Sequence, residues 1–331
     1  MRKRDSVACA PTDRGRAGST YIMGNGGLSV ATFEMGDGLH MPQIGFGTFQ
    51  IKEEEAEAPV LAALKVGYRH IDTAELYKNA SGIGRALAAS GVPRSEVFVT
   101  TKVSMSNSFD ATVQFVTEAV AKLGVEYVDL VLVHTPFGGK DVRLAKYKGL
   151  VECQRRGLTK SIGVSNFEIA HLEELAAEGL PTPAANQLEL HPLCQKTSLL
   201  AYMVSKKILP IAYSSLAPLS SWRDGYTAFT GSKQQELREV VQSPICAIAA
   251  KVADGNGGMG VPESKLLLKY ALQKGWAILP KSVREERIQA NFDLSNFTIA
   301  SPEMAELDAL DEDKAFAFGE AGNPVDPSKA P

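Results

Sequence analysis

Seven apolar runs in this chain each end in a polar or ionisable side chain. Tyr68 to Ile71 runs into Asp72, Val97 to Thr101 into Lys102, Val128 to Val133 into His134, and Ser161 to Val164 into Ser165-Asn166. Ala184 to Asn186 runs into Gln187, Ile208 to Ala212 into Tyr213-Ser214, and Trp276 to Pro280 into Lys281-Ser282. Reactive groups at the C-terminal ends of successive buried strands mark the active face of a (β/α)8 barrel. The pattern therefore predicts an α/β chain folded as a (β/α)8 TIM barrel.

The segments between the runs fit that prediction. Apolar residues at helical spacing, often closed by glycine, predict helices over 56–66, 83–90, 109–123, 144–156, 169–177, 197–206, 243–252, 262–274, 285–292 and 302–310. Strand and helix alternating in this way argue for a parallel sheet covered by helices. Ahead of the first barrel strand, Ile44 to Thr48, two short apolar segments flank Met35-Gly36-Asp37-Gly38. Asp-Gly between such segments signals a β-hairpin, expected to plug the barrel floor. Leu216 to Glu236, with Trp222 and Phe229, is longer than the ~2–6 residues usual between strand and helix and reads as a functional loop. Gly255-Asn256-Gly257-Gly258-Met259-Gly260 formally fits the dinucleotide fingerprint. It follows a helical segment rather than a strand, so it reads as a helix–helix connection.

The predicted organisation is an N-terminal extension over 1–24, one barrel domain over 25–315 and a loose C-terminal tail over 316–331. The extension carries Arg2, Lys3, Arg4, Arg14 and Arg16 and lacks the apolar centre of a secretory signal. A disordered tail, an organelle transit peptide and an upstream start ahead of Met23 all fit its composition. Net charge is −3, with no basic stripe, which argues against nucleic acid and against an anionic membrane surface. No apolar run approaches the ~20 residues that span a bilayer. The four cysteines are widely spaced, which disfavours a disulfide framework or zinc site and fits a reducing, cytoplasmic setting. No other metal motif is present.

Four motifs then occur in order: His70-Ile71-Asp72-Thr73-Ala74-Glu75-Leu76-Tyr77, Gly163-Val164-Ser165-Asn166-Phe167, Asn186-Gln187-Leu188-Glu189-Leu190-His191-Pro192, and Leu279-Pro280-Lys281-Ser282 with Arg287 beyond. Together they resemble the aldo-keto reductases over roughly residues 39–310. The resemblance implies an NADPH-dependent enzyme that delivers hydride to an aldehyde or ketone carbonyl, and a monomer whose partner is a small carbonyl substrate. It implies catalytic roles for Asp72, Tyr77, Lys102 and His134. Tyr77 would protonate the carbonyl oxygen. A free tyrosine has a pKa of ~10, and the Lys102 ammonium, balanced by Asp72, is expected to lower it. His134 would orient the carbonyl.

The same resemblance places Thr48, Asp72, Ser165, Asn166 and Gln187 near the nicotinamide, with Tyr213 stacked on its ring. Ser214 and Leu216 would line the pyrophosphate path, and Lys281, Ser282, Arg287 and Asn291 would hold the adenosine end. Two cations there favour a 2′-phosphate, since a bidentate arginine suits phosphate better than a hydroxyl. Many relatives carry a carboxylate just before the asparagine, where this chain has Ala290. Thr135 follows the catalytic histidine and Ser104 follows Lys102-Val103, where relatives often have tryptophan after the histidine. The expected pocket, bounded by Phe49, Tyr77, His134, Phe137 and Trp222, is therefore roomier and less aromatic.

Taken singly, these residues have plainer readings. A buried Asp–Lys pair is also a structural device, and a lone tyrosine is often a packing aromatic. Their joint placement at strand ends is what favours catalysis. His191, beside Pro192, is expected to be structural. Two other functions compete: a non-catalytic NADPH-binding sensor or channel subunit, and a barrel lyase with a Schiff base on Lys102 or Lys281.

Overall fold

Eight short strands pair in parallel, each with the next in sequence: β4 (Phe46–Gly47), β5 (His70–Asp72), β6 (Phe98–Val103), β7 (Val128–Val133), β8 (Thr159–Ser165), β9 (Ala185–Glu189), β10 (Leu209–Tyr213) and β11 (Ala277–Ile278). In this computed structural model, which describes residues 20–23, 29–219, 244–255, 257–313 and 315–317, the sheet closes on itself. A parallel bridge joins Ile44 to Ile278. Gly45 N–H donates to the Ile278 carbonyl and Gly47 N–H to that of Pro280. The result is the predicted (β/α)8 barrel. Trp222 and Phe229 lie outside the described residues.

Alternation along each strand sorts the side chains. Phe98, Leu130, Leu132, Ala185, Leu209, Ile211, Ala277 and Leu279 form one apolar cluster. Val99, Val131, Val133, Ile162, Val164 and Ala212, their strand neighbours, belong to a second cluster shared with the helices. The first set fills the barrel, and the second joins barrel to helices. Continuing the inward register upward reaches Lys102, His134, Ser165, Gln187 and Tyr213. The chemistry at the strand ends is thus set by the same period of two that builds the core. Gly163 keeps this interior dense: a Cβ there would lie 2.6 Å from the Ala185 carbonyl oxygen.

The floor is closed as expected. Strands β2 (Ser29–Glu34) and β3 (His40–Pro42) form an antiparallel hairpin. Met35 and Met41 pack into the inner cluster, and Asp37 Oδ2 accepts from Ser161 Oγ at 2.5 Å. A third strand, β1 (Thr20–Met23), pairs with β2; it falls in the span read from sequence as an extension.

Among the described residues the α-helices are α1 (Glu57–Val66), α2 (Ala80–Ala89), α3 (Phe109–Leu123), α4 (Gly139–Arg155), α5 (Ile169–Ala177), α6 (Thr197–Ser205), α7 (residues 244–251), α8 (Glu263–Gln273), α9 (Glu285–Phe292) and α10 (Ser301–Asp308). Two begin earlier than predicted. In α2 the added turn, Ala80-Ser81-Gly82, carries no apolar stripe to announce it. A Cβ at Gly82 would lie 2.2 Å from the Glu53 carbonyl oxygen, and one at Gly84 would lie 2.7 Å from that of Lys122. They are close-approach glycines inside a helix. The polar first turn of α4 carries no apolar stripe to announce it. The glycine run after α7 is a helix–helix connection, as read: Ala253 bridges Gly260, and Asp254 N–H donates to the Met259 carbonyl.

Candidate active site

The centre of the site is a buried ion pair. Lys102, on β6, is fully buried, and its Nζ lies 2.5 Å from Asp72 Oδ1 at the end of β5. It also donates to the Thr73 carbonyl at 3.0 Å and to the Tyr77 hydroxyl at 3.4 Å. All three ammonium protons therefore have acceptors. Burial by itself would lower the Lys102 pKa; Asp72 and Tyr77 outweigh it, and the net direction is upward. Gln187 Nε2 donates to the second Asp72 oxygen at 3.0 Å.

Tyr77 closes a 3-10 turn, Glu75–Tyr77, and its ring stands 5.9 Å from that of His134 and 5.1 Å from that of Phe49. The expected lowering of its pKa is corrected by the structure. Burial raises the phenol and outweighs the downward pull of Lys102, so the net direction is upward. The phenol is protonated at neutral pH, which is the state a proton donor needs. His134 is held neutral: burial, then the charges of Lys102 and Lys146, lower its pKa to about 3. Its Nδ1 lies 2.6 Å from Ser104 Oγ.

A belt of hydrogen bonds runs from this centre around the barrel mouth. Ser165 Oγ donates to the Gln187 carbonyl at 2.8 Å. Asn166 Nδ2 donates to the His134 carbonyl at 3.0 Å, and Asn166 Oδ1 accepts from the Tyr213 hydroxyl at 2.8 Å. Asn166 reaches both from the left-handed region (φ 63°), as does Ser214 (φ 54°). Non-glycine residues held there are typical of functional sites. Thr48 is buried and its hydroxyl is committed to the Asp72 carbonyl at 2.8 Å. It anchors the aspartate.

Of the remaining expected residues, Lys281 and Ser282 follow β11, and Arg287 and Asn291 lie on α9. Lys281 and Arg287 are exposed, and neither forms an ion pair among the described residues. Ser282 Oγ accepts from the Arg284 N–H at 3.1 Å, and Asn291 on α9 is buried. Between Ser214 and Leu216, Ser215 has a buried hydroxyl without a partner among the described residues. Reading the sequence missed it, because nothing marks one serine of a pair as the inward one. An orphaned hydroxyl, a belt of amides and two unpaired cations fit a long polar ligand with an anionic end. His191 belongs elsewhere: its Nε2 faces Glu189 at 3.2 Å, and Glu189 accepts from the backbone N–H of Phe316 and Ala317.

Comparison with known proteins decides the family. The profile of the Aldo/keto reductase family matches residues 43–312. This chain belongs to the aldo-keto reductases. It is 36% identical to an aldo-keto reductase of Mycolicibacterium vanbaalenii over 87% of this chain and 95% of that protein. It is also 36% identical to methylglyoxal reductase DkgA of Escherichia coli K12, over 84% of this chain and 92% of that protein. Among solved structures, an aldo/keto reductase from Brucella melitensis is 34% identical with a TM-score of 0.72, covering 85% of this chain and 98% of that one. A Bombyx mori aldo-keto reductase in complex with NADP is 27% identical with a TM-score of 0.77, covering 91% and 99%. This aldo-keto reductase is accordingly an NADP-dependent oxidoreductase of carbonyl compounds. Among its described residues, no helix is long and apolar enough to cross a membrane.

Proposed function

We propose that this aldo-keto reductase converts small aldehydes and ketones to alcohols with Tyr77 as the proton donor. NADPH supplies the hydride. Thr48, Asp72, Ser165, Asn166, Gln187 and Tyr213 would hold its nicotinamide half, Ser214, Ser215 and Leu216 the pyrophosphate, and Lys281, Ser282, Arg287 and Asn291 the adenosine end. The observation that carries the reading is the Lys102 ammonium, 2.5 Å from Asp72 and 3.4 Å from the Tyr77 hydroxyl. As the carbonyl carbon gains hydride, its oxygen gains negative charge. Tyr77 gives that oxygen a proton, and the ammonium stabilises the phenolate left behind. Asp72 keeps the ammonium charged and in place.

His134 completes the site. Being neutral, it carries one ring proton. With Nδ1 accepting from Ser104, the proton sits on Nε2 and is free to bind the carbonyl oxygen. The mouth is lined by Phe49 and Phe137, and the small side chains of Ser104 and Thr135 leave room beside the histidine. The similarity to a methylglyoxal reductase points to short dicarbonyls as the first compounds to try. The free state of the three described cysteines fits a cytoplasmic enzyme, and we read it as a monomer that binds neither nucleic acid nor membrane. A Schiff-base role for Lys102 is disfavoured because it is locked as an ammonium, whereas an amine nucleophile needs its pKa lowered.

The test is NADPH oxidation with a panel of aldehydes and ketones, repeated with Tyr77→Phe. Turnover by the wild type and a loss in kcat of ~10²–10⁴ in the variant, with NADPH still bound, are expected. Tight NADPH binding without any turnover would instead make the protein a sensor or subunit.

A further inference from the structure

Beside the catalytic pair lies a pocket of about 450 Å³, walled by Leu76, Ser104, Thr135, Phe137, Gly138 and Lys146 among others. It adjoins the reaction centre directly. Ser104 touches the His134 ring at 2.6 Å, and Leu76 and Thr135 are the chain neighbours of Tyr77 and His134. Its walls are apolar or neutral with one exception, Lys146 of α4.

Lys146 is 1% exposed. Its Nζ donates to the Ser104 carbonyl at 2.9 Å, and no other acceptor for it is found among the described residues. The nearby carboxylate, Glu75, is engaged elsewhere: it accepts from the N–H groups of Ser104 at 2.6 Å and Met105 at 2.7 Å, and from Ser106 Oγ at 2.7 Å. The barrel mouth thus holds two buried lysines with different fates. Lys102 has a partner for each proton, while Lys146 has one neutral acceptor among the described residues and feels Glu75 only through space. A buried charge without a counter-ion is costly to keep. A second feature favours an anion at the same wall. Gly138, a pocket residue, is the N-cap of helix α4 and gives it no side-chain cap, so the positive end of the helix dipole, with Asp141 in its first turn, lies at this wall.

We propose that Lys146 is the anion-recognition residue of the substrate pocket, and that the preferred carbonyl substrates carry a carboxylate on the same short chain. This rests on the reading of Tyr77 and His134 as the groups that handle the carbonyl. Ser104 bridges the two functions, its carbonyl on Lys146 and its hydroxyl on His134. One residue separates the cation from the histidine, so carboxylate and carbonyl sit only a few bonds apart. A single available ammonium suits a carboxylate better than a phosphate dianion, since the neighbouring Arg143 is held by Glu174 and the Pro136 carbonyl. The bound carboxylate takes no part in the reaction; it fixes which end of the substrate faces Tyr77.

The experiment compares 4-oxobutanoate with its methyl ester, a matched pair differing in that one charge, as substrates with NADPH. The wild type should prefer the acid in kcat/KM. In Lys146→Met the acid-to-ester ratio should fall about ten- to hundred-fold, mainly through KM. Whatever both substrates lose together belongs to the Ser104 contact; the ratio reads the charge. An unchanged ratio, or a wild type indifferent to the charge, overturns the proposal. A check that needs no variant is inhibition of ester reduction in the wild type by succinate and by dimethyl succinate. Succinate should compete with the ester far more strongly, and equal inhibition by the two also overturns the proposal. Turnover of the ester itself reports on the catalytic reading separately, so failure of one is not mistaken for failure of the other.

Discussion

The hydroxyl of Ser104 lies 2.6 Å from Nδ1 of His134, so one ring nitrogen of the histidine is committed and only Nε2 remains for a substrate. This contact sets the angle of the ring, and with the serine hydroxyl as donor it leaves the ring proton on Nε2. Ser104→Ala would leave a buried acceptor without its donor, at a cost of about 1–3 kcal/mol. The same variant should lower kcat/KM about ten-fold or more for any carbonyl, while the Kd for NADPH stays as in the wild type. Unaltered kcat/KM would show that the ring is held by packing alone.

The Asp72–Lys102 pair makes a second, separable prediction. Removing one partner of a buried pair typically costs about 3–5 kcal/mol, because the other charge is left uncompensated. Lys102→Met should therefore destabilise the protein and abolish turnover. Adding Asp72→Asn to it should recover much of the stability and none of the activity. Urea unfolding and steady-state rates on the two variants check this. Recovery of activity in the double variant would reduce the pair to a structural device.

Much of this site was legible because of one period. In a barrel, the residue two beyond an inward core residue is inward too. Leu132 leads to His134 and Thr100 to Lys102, and the strand-end pattern therefore placed these two side chains at the barrel mouth. What stayed hidden depends on packing between elements. Lys146 sits in Arg143-Leu144-Ala145-Lys146-Tyr147-Lys148, where Lys146 and Lys148 stand on opposite sides of α4; Lys146 is buried and Lys148 is exposed. Which of the two sides is covered depends on the contact of α4 with the loop after β6. The net direction of the Tyr77 pKa was hidden for the same reason. The opposing effects of Lys102 and of burial are both visible in outline, but their balance depends on how closely the walls approach.

Two histidines give the protein an acid sensitivity with a definite sign. His70 and His134 are each held neutral, with pKa values lowered to about 3, first by burial and then by Lys102. Unfolded, each would bind a proton near pH ~6.5. Between these values the unfolded chain carries more protons, so stability is full above about pH 6.5 and falls as the pH drops toward 3. Each histidine contributes a slope of up to about 1.4 kcal/mol per pH unit. Urea midpoints at neutral and mildly acidic pH should show the loss, and His70→Asn should roughly halve the slope. A stability curve flat across that range would contradict the neutral assignment.

Cofactor choice rests on the far rim. Lys281 continues the inward register of β11, and Arg287 lies on α9 with no ion pair among the described residues. Charge-assisted, bidentate bonds from a guanidinium are specific to a phosphate and are wasted on a ribose hydroxyl. Arg287→Ala should therefore weaken NADPH about ten-fold or more and leave NADH nearly as it was. Lys281→Met should do the same to a lesser degree, since an ammonium binds phosphate as a point charge. Fluorescence titration of both nucleotides against wild type and variants separates the two cases. Equal losses for NADPH and NADH would mean that Arg287 holds the adenosine end as a whole rather than its phosphate.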